Sequence, residues 1–189
     1  MVRELFVTNL YETDVADEAM LGALAHSIRS LSRDDEAGRR WSKEHLYAGY
    51  TSYASLNDLP KRDPAFAELA KLLTRHAAGF ARDIGWDTKP RLDSLLVNLL
   101  KPGGHHSGHI HPHSILSGTI YVEVPSGSGA IRFEDPRLPL MMAAPARADA
   151  FVTVEPRPGQ LLMWESWLRH EVLTGNGRGE RLSISFNFA

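Results

Sequence analysis

The stretch from Arg181 to Phe188, Arg-Leu-Ser-Ile-Ser-Phe-Asn-Phe, alternates without a break. Successive side chains of an extended strand point to opposite sides. Arg181, Ser183, Ser185 and Asn187 therefore share one face, and Leu182, Ile184, Phe186 and Phe188 the other. A strand with one wholly apolar face must bury that face against another layer, so the chain is constrained to a layered β architecture. The polar face has two readings. It is the wet face of a half-exposed strand, or it points into the mouth of a barrel. In the second case Arg181 can clamp a carboxylate through two parallel hydrogen bonds while Ser183 donates to it.

The chain before this strand has the same texture back to Arg91. Short runs at Leu92–Leu100, Ile115–Val124, Ala130–Glu134, Ala150–Val154, Leu161–Trp164 and Arg169–Leu173 are divided by segments rich in Pro and Gly, including a proline-broken stretch from Asp135 to Arg147. The N-terminal half reads differently. A short strand is expected over residues 4–10. A helix follows from Val15 to Leu31, with Asp14 as N-cap and Met20, Leu21, Leu24, Ile28 and Leu31 as one apolar stripe. Residues 32–40 read as a solvated, charged connector. Residues 41–59 carry Trp41, Tyr47, Tyr50 and Tyr53 without periodicity, as an irregular segment packed on the core, or else as part of a substrate cleft. A second helix is capped by Asp63, has Pro64 in its first turn and ends at Gly85; His76 sits at its core edge. The expectation is an all-β core with flanking helices, of the sandwich or barrel kind, in a single domain over 1–189. Residues 1–90 are the helical and irregular buttress; residues 91–189 are the core that carries the functional site.

Between the first two core strands lies a histidine cluster. His105, His106, His109, His111 and His113 are five of the chain's nine histidines. His109 and His111 are two apart, so in a strand both imidazoles face the same side and can share a metal ion. The tract is internal, which excludes an expression tag; a hydrated loop is the other reading. A third ligand is available in His170, at the start of a late strand, because a jelly roll returns late strands beside early ones. The chain has no cysteine, so any metal must use His, Asp or Glu, a donor set suited to Fe(II), Mn(II) or Zn(II). A net charge of −2 gives no basis for a nucleic-acid stripe or a polybasic membrane patch. No apolar run is long enough for a spanning helix, and the first residues lack a secretory apolar segment; the reducing cytoplasm is the expected location.

The order of these features resembles the Fe(II)/2-oxoglutarate-dependent dioxygenases: Asn98 with Pro102-Gly103, His109-x-His111, the Pro158-Gly159 turn, His170, then Arg181-x-Ser183. It is most similar to a bacterial and phage branch whose histidine motif is followed by Ser-Gly-x-x-Tyr, Phe-x-Asp-Pro-Arg and Arg-x-Ser-x-Ser-Phe-Asn. Here these are Ser117 to Tyr121, Phe133 to Arg137 and Arg181 to Asn187. The resemblance covers residues 91–188 and implies a double-stranded β-helix, the cupin-like jelly roll. It implies Fe(II) as metal, 2-oxoglutarate as co-substrate, and His109 and His170 as the iron histidines. Arg181 and Ser183 would hold the distal carboxylate, with Asn98, Tyr121 and Asn187 on the rest of the co-substrate; Arg137, His105 and His106 are candidate substrate contacts.

The departure is His111, where most of the superfamily has Asp or Glu. A third imidazole offsets none of the metal charge, so either His111 or a carboxylate such as Glu123, Asp149 or Glu165 completes the site. The implied activity is a dioxygenase of the hydroxylase type acting with dioxygen on a small molecule or peptide, with no nucleic acid, no membrane and a homodimer left open. Two rivals remain: a cupin-like three-histidine dioxygenase that needs no 2-oxoglutarate, and a non-catalytic cupin-type protein that binds a metal or small ligand.

Overall fold

The computed structural model describes residues 1–15, 17–137, 145 and 150–189. Its first strand, β1 (Leu10–Asp14), starts where the expected strand over residues 4–10 ends. Residues 4–8 are exposed, because the edge that β1 pairs with begins opposite Leu10, at Trp164. Helix α1 (Glu18–Asp34) starts at Asp17, not Asp14: the Asp17 carboxylate accepts from the Met20 N–H at 2.7 Å. It buries Leu24, Ala25 and Ile28. The segment expected to be a solvated connector instead forms the end of α1 and helix α2 (Glu36–Glu44). Almost nothing apolar marks this helix. It is fixed by Asp35, which accepts from the Gly38 N–H at 3.0 Å, the Tyr50 hydroxyl at 2.9 Å and the Ser55 hydroxyl at 2.5 Å.

The aromatic stretch then gives a short strand, β2 (Gly49–Thr51). Gly49 has φ +143°, and a Cβ there would stand 1.9 Å from the Leu99 carbonyl oxygen, so the β2 pairing requires glycine. Helix α3 (Leu59–Arg62) leads into α4 (Pro64–Asp83). As expected, Asp63 caps α4, accepting from the Ala65 N–H at 2.8 Å, and Gly85 follows its end at φ +78°. Its buried stripe is Phe66, Leu69, Leu72, Leu73 and Phe80. His76 lies at the edge of that stripe, 2.7 Å from the Tyr11 hydroxyl.

The core strands are β3 (Leu92–Leu100), β4 (His106–His109), β5 (Leu116–Glu123), β6 (Ile131–Glu134), β7 (Phe151–Val154), β8 (Gln160–Glu165), β9 (His170–Val172) and β10 (Arg181–Phe188). All but β4 lie where runs of the sequence place them, with ends moved by a residue in places. The stretch Asp135–Arg147 and the candidate ligand Asp149 fall largely outside the described residues. The strands form two antiparallel sheets, β1-β8-β5-β10-β3-β2 and β4-β9-β6-β7. Together they make the double-stranded β-helix, with α1 and α4 on the outer face of the larger sheet.

Strand β10 is bonded to β3 on one edge and β5 on the other, so neither of its edges is free. Leu182, Ile184, Phe186 and Phe188 pack with Leu24, Ile28, Phe66, Leu69 and Leu73 of the helices. Its opposite face points between the sheets. Arg181 is 4% exposed and Ser183 3%, so the reading of that face as solvated is wrong. Strand β8 splits the same way: Leu161 and Met163 join the helices, while Leu162 and Trp164 join Tyr121, Ile131, Phe133 and Leu168 in a second cluster between the sheets. No helix among the described residues is long and apolar enough to cross a membrane.

Because Leu73 is fully buried where α4 meets the large sheet, Leu73→Ala is expected to lower unfolding free energy by about 2–5 kcal/mol in urea titrations, with metal binding retained. A loss below 1 kcal/mol would mean that the helix is not part of this core.

Candidate metal centre and anion cavity

Three histidines converge at one end of the space between the sheets. His109 ends β4 and stands opposite His170, the first residue of β9. His111 lies beyond the strand, so the two-residue strand period is not what aims it. Its loop is anchored instead by the His111 N–H, which donates to the Ser166 carbonyl at 3.0 Å. Ser166 is held in turn: its hydroxyl meets that of Ser117 at 2.7 Å, and Ser117 donates to the Asn187 side-chain carbonyl at 2.8 Å. The imidazole centroids lie 4.4 to 5.2 Å apart, and one nitrogen from each ring falls within 4.8 Å of the others.

The second ring nitrogens are oriented. His109 Nδ1 is 2.7 Å from the Ser107 carbonyl and His170 Nδ1 is 2.9 Å from the Leu168 carbonyl. A carbonyl only accepts, so each Nδ1 carries the proton and each Nε2 keeps its lone pair, as a metal ligand must. His111 Nε2 faces His170 Nε2 at 3.4 Å. The donor set and its orientation fit a divalent ion of the borderline class. Burial pushes His111 down to about 4 and His170 down to about 3, so both are neutral at physiological pH.

The cavity next to these histidines encloses about 450 Å³, part of it open to solvent. Its walls include Thr119, Tyr121, Trp164, Arg181, Ser183 and Ser185, besides His106 and the three converging histidines. No Asp or Glu lines it among the described residues. The Arg181 guanidinium donates from Nη1 to the Gly129 carbonyl at 2.9 Å and lies 5.7 Å from the Tyr121 ring centroid. Desolvation holds its pKa below the ordinary guanidinium value, and Tyr121 and Tyr47 oppose that shift. Arg181 Nε, Tyr121 Oη and Trp164 Nε1 are buried without a hydrogen-bond partner among the described residues. All three belong to side chains in the cavity wall.

Several residues singled out from the sequence sit elsewhere. Asn98 accepts from Thr51 at 2.9 Å and donates to Ser185 at 3.1 Å; Asn187 donates to Ser94 at 2.9 Å. Neither lines the cavity, and both brace its walls. Glu123 pairs with Arg29 at 2.5 Å, and Glu165 is not among the converging ligands. His105 is exposed, and Arg137 is exposed beside Asp135. His106 does reach the cavity. It is 2.9 Å from the Tyr47 hydroxyl, and burial, reinforced by Arg181, pushes it down to about 4. Sequence reasoning placed Tyr47 in an irregular segment packed on the core or lining a cleft, with no role of its own, and passed over Trp164, whose ring packs edge-on to His170 at 4.6 Å. The signal for Trp164 was its place on the inward alternation of β8.

Residues 94–187 match the sequence profile of a family described as "Putative 2OG-Fe(II) oxygenase". No curated protein sequence matches the chain. Among solved structures, the fold is similar to a Pseudomonas putida prolyl-4-hydroxylase at 18% identity and TM-score 0.68, over 96% of this chain and 94% of that one. It is similar to the epimerase SnoN, in complex with Fe3+, alpha ketoglutarate and nogalamycin RO, at 17% identity and TM-score 0.68, over 96% of this chain and 78% of SnoN. The chain spans about half the length of a further match, a Burkholderia pseudomallei oxidoreductase of the 2OG-Fe(II) oxygenase family, at 17% identity and TM-score 0.49, covering 61% of this chain and 52% of that one.

The buried imidazoles make stability depend on pH. Unfolded, a histidine takes up a proton near pH 6.5; in the folded chain His106 and His111 do so only at about 4, and His170 at about 3. The unfolded state therefore binds more protons once the pH drops below about 6.5. The metal-free protein, at full stability above that point, should lose stability steadily as the pH falls towards 4. Thermal melts at constant ionic strength are expected to show this fall, and His106→Phe to make it shallower. A melting temperature that is flat from about pH 7 to pH 5 would contradict it.

Proposed function

The chain belongs to the 2OG-Fe(II) oxygenase superfamily, and on that basis we propose that it is an Fe(II)- and 2-oxoglutarate-dependent dioxygenase of the hydroxylating type, acting on a small molecule or peptide. One observation carries the reading. A cavity without a described carboxylate has three convergent imidazoles at its metal end and a buried guanidinium, Arg181, in its wall. A bare buried guanidinium is costly, so the cavity is suited to an anion that spans from metal to arginine. That SnoN is described in complex with iron and alpha ketoglutarate supports assigning the same pair here.

In this reading His109, His111 and His170 hold the iron, and the Ser107 and Leu168 carbonyls keep two of the rings in the ligating tautomer. When bound, Fe(II) with 2-oxoglutarate supplies the oxidation of a substrate C–H bond by dioxygen, coupled to decarboxylation of the co-substrate. Arg181 binds the distal carboxylate, with Ser183 and the Tyr121 hydroxyl as further donors. Asn98 and Asn187 act through the walls they brace. The second cluster between the sheets, with Phe133 and Trp164 against His170, keeps water from the inner side of the ligands. The cytoplasm is the location we assign with this reading, and a net charge of −2 gives no ground for a nucleic-acid partner. The rival is a three-histidine dioxygenase that uses no 2-oxo acid, and His111 is the observation in its favour.

The two readings part at Arg181. Replacing it with Leu removes no metal ligand, so Mn(II) binding should persist while affinity for 2-oxoglutarate falls at least about tenfold, the loss of a charge-assisted contact. Calorimetry on the Mn(II)-loaded protein measures both. Wild-type protein that ignores 2-oxoglutarate, or a Leu variant that binds it equally well, would hand the site to the three-histidine reading.

A further inference from the structure

We propose that His111 makes metal and 2-oxoglutarate loading mutually dependent in this cavity, each binding weakly without the other. This rests on the oxygenase reading and concerns how its site is filled. With a divalent ion on three neutral imidazoles and Arg181 ionised, the cavity holds only positive charge: no Asp or Glu lines it among the described residues. Of the carboxylates on the strands around it, Glu165 is not in the converging group, and the other three are engaged. Glu134 pairs with Arg169 at 2.9 Å, Glu171 with Arg132 at 2.5 Å, and Glu123 with Arg29 at 2.5 Å. The ion therefore enters against Arg181 with no anionic ligand from these groups. The dicarboxylate supplies the missing negative charge at the metal and neutralises Arg181 at once. A protein carboxylate at position 111 would make the metal site partly self-sufficient and would repel the incoming dianion. At about 5 Å and an effective dielectric near 20, one such charge is worth on the order of a hundredfold in affinity.

The test is a thermodynamic cycle by anaerobic calorimetry with Mn(II). Metal affinity is measured without and with saturating 2-oxoglutarate, and 2-oxoglutarate affinity without and with Mn(II); linkage requires the two factors to agree. In the wild type each ligand should tighten the other by about a hundredfold or more. In His111→Asp, metal alone should bind at least about tenfold more tightly, and the mutual factor should shrink at least about tenfold. Circular dichroism and melting establish that the variant is folded; if it is not, the two wild-type titrations decide alone. A wild-type factor below about tenfold overturns the proposal, as it would if a carboxylate from elsewhere in the chain completed the site. So does a His111→Asp factor as large as that of the wild type. If 2-oxoglutarate fails to bind even Mn(II)-saturated protein, the oxygenase reading itself falls. If it binds with the same affinity in the presence and absence of metal, only the interdependence does.

Discussion

The two-sidedness of β10 governs the molecule. One backbone, bonded on both edges, has to satisfy a hydrocarbon layer on one side and a guanidinium on the other. The apolar side supplies the stabilisation: its four large side chains each contribute about 1.5–3 kcal/mol on burial. The polar side spends part of that by keeping Arg181 out of water. A slip of one residue would send Arg181 into the helix layer and Leu182 into the cavity, so the register is held by a large penalty on both faces. The same alternation in β5 and β8 extends the division across the sheet.

The metal end is built by a different logic. Strand pairing places His109 and His170 opposite each other, although 61 positions separate them in the chain. His111 has no strand to aim it. Its loop is tethered through Ser166 and Ser117 to Asn187 at the far end of β10. The strand that carries the guanidinium thus also braces the third histidine, and the distance between the two ends of the cavity is set largely by one rigid element.

Much of this was legible in the sequence where a local rule decides it. The alternation of β10, the run of β3 and the Asp63-Pro64 start of α4 each follow from side-chain period or cap chemistry. Helix α2 was not legible, because what fixes it is the contact of Asp35 with Tyr50 and Ser55, made only after folding. The three histidines were recognisable by type and spacing, yet the reason for His111 was misjudged: a tether replaces the strand period. Polar residues on an inward face were readable as inward, but whether they reach the cavity, as Ser183 and Ser185 do, or join a wall network, as Asn98 and Asn187 do, depends on neighbours far away in sequence. Tyr47 shows the same limit, since its hydroxyl acquires meaning only beside His106.

The position of β10 in the chain has a consequence for how the protein comes into being. It follows every other strand in sequence, yet it lies between β5 and β3 near the middle of the large sheet. Until residues after 180 have left the ribosome, β3 and β5 have no strand to join them, and the apolar faces of α1 and α4 have only part of their floor. β1 waits as well, for β8. Contacts of such long sequence separation make for slow closure, and the unjoined strand edges are exposed to wrong partners meanwhile. His170 also emerges after every other strand but β10, so the three histidines can converge only once β9 has been made. A ribosome that stalls shortly before Arg181 would hold a chain with all three histidines and neither a closed sheet nor a cavity in which to use them.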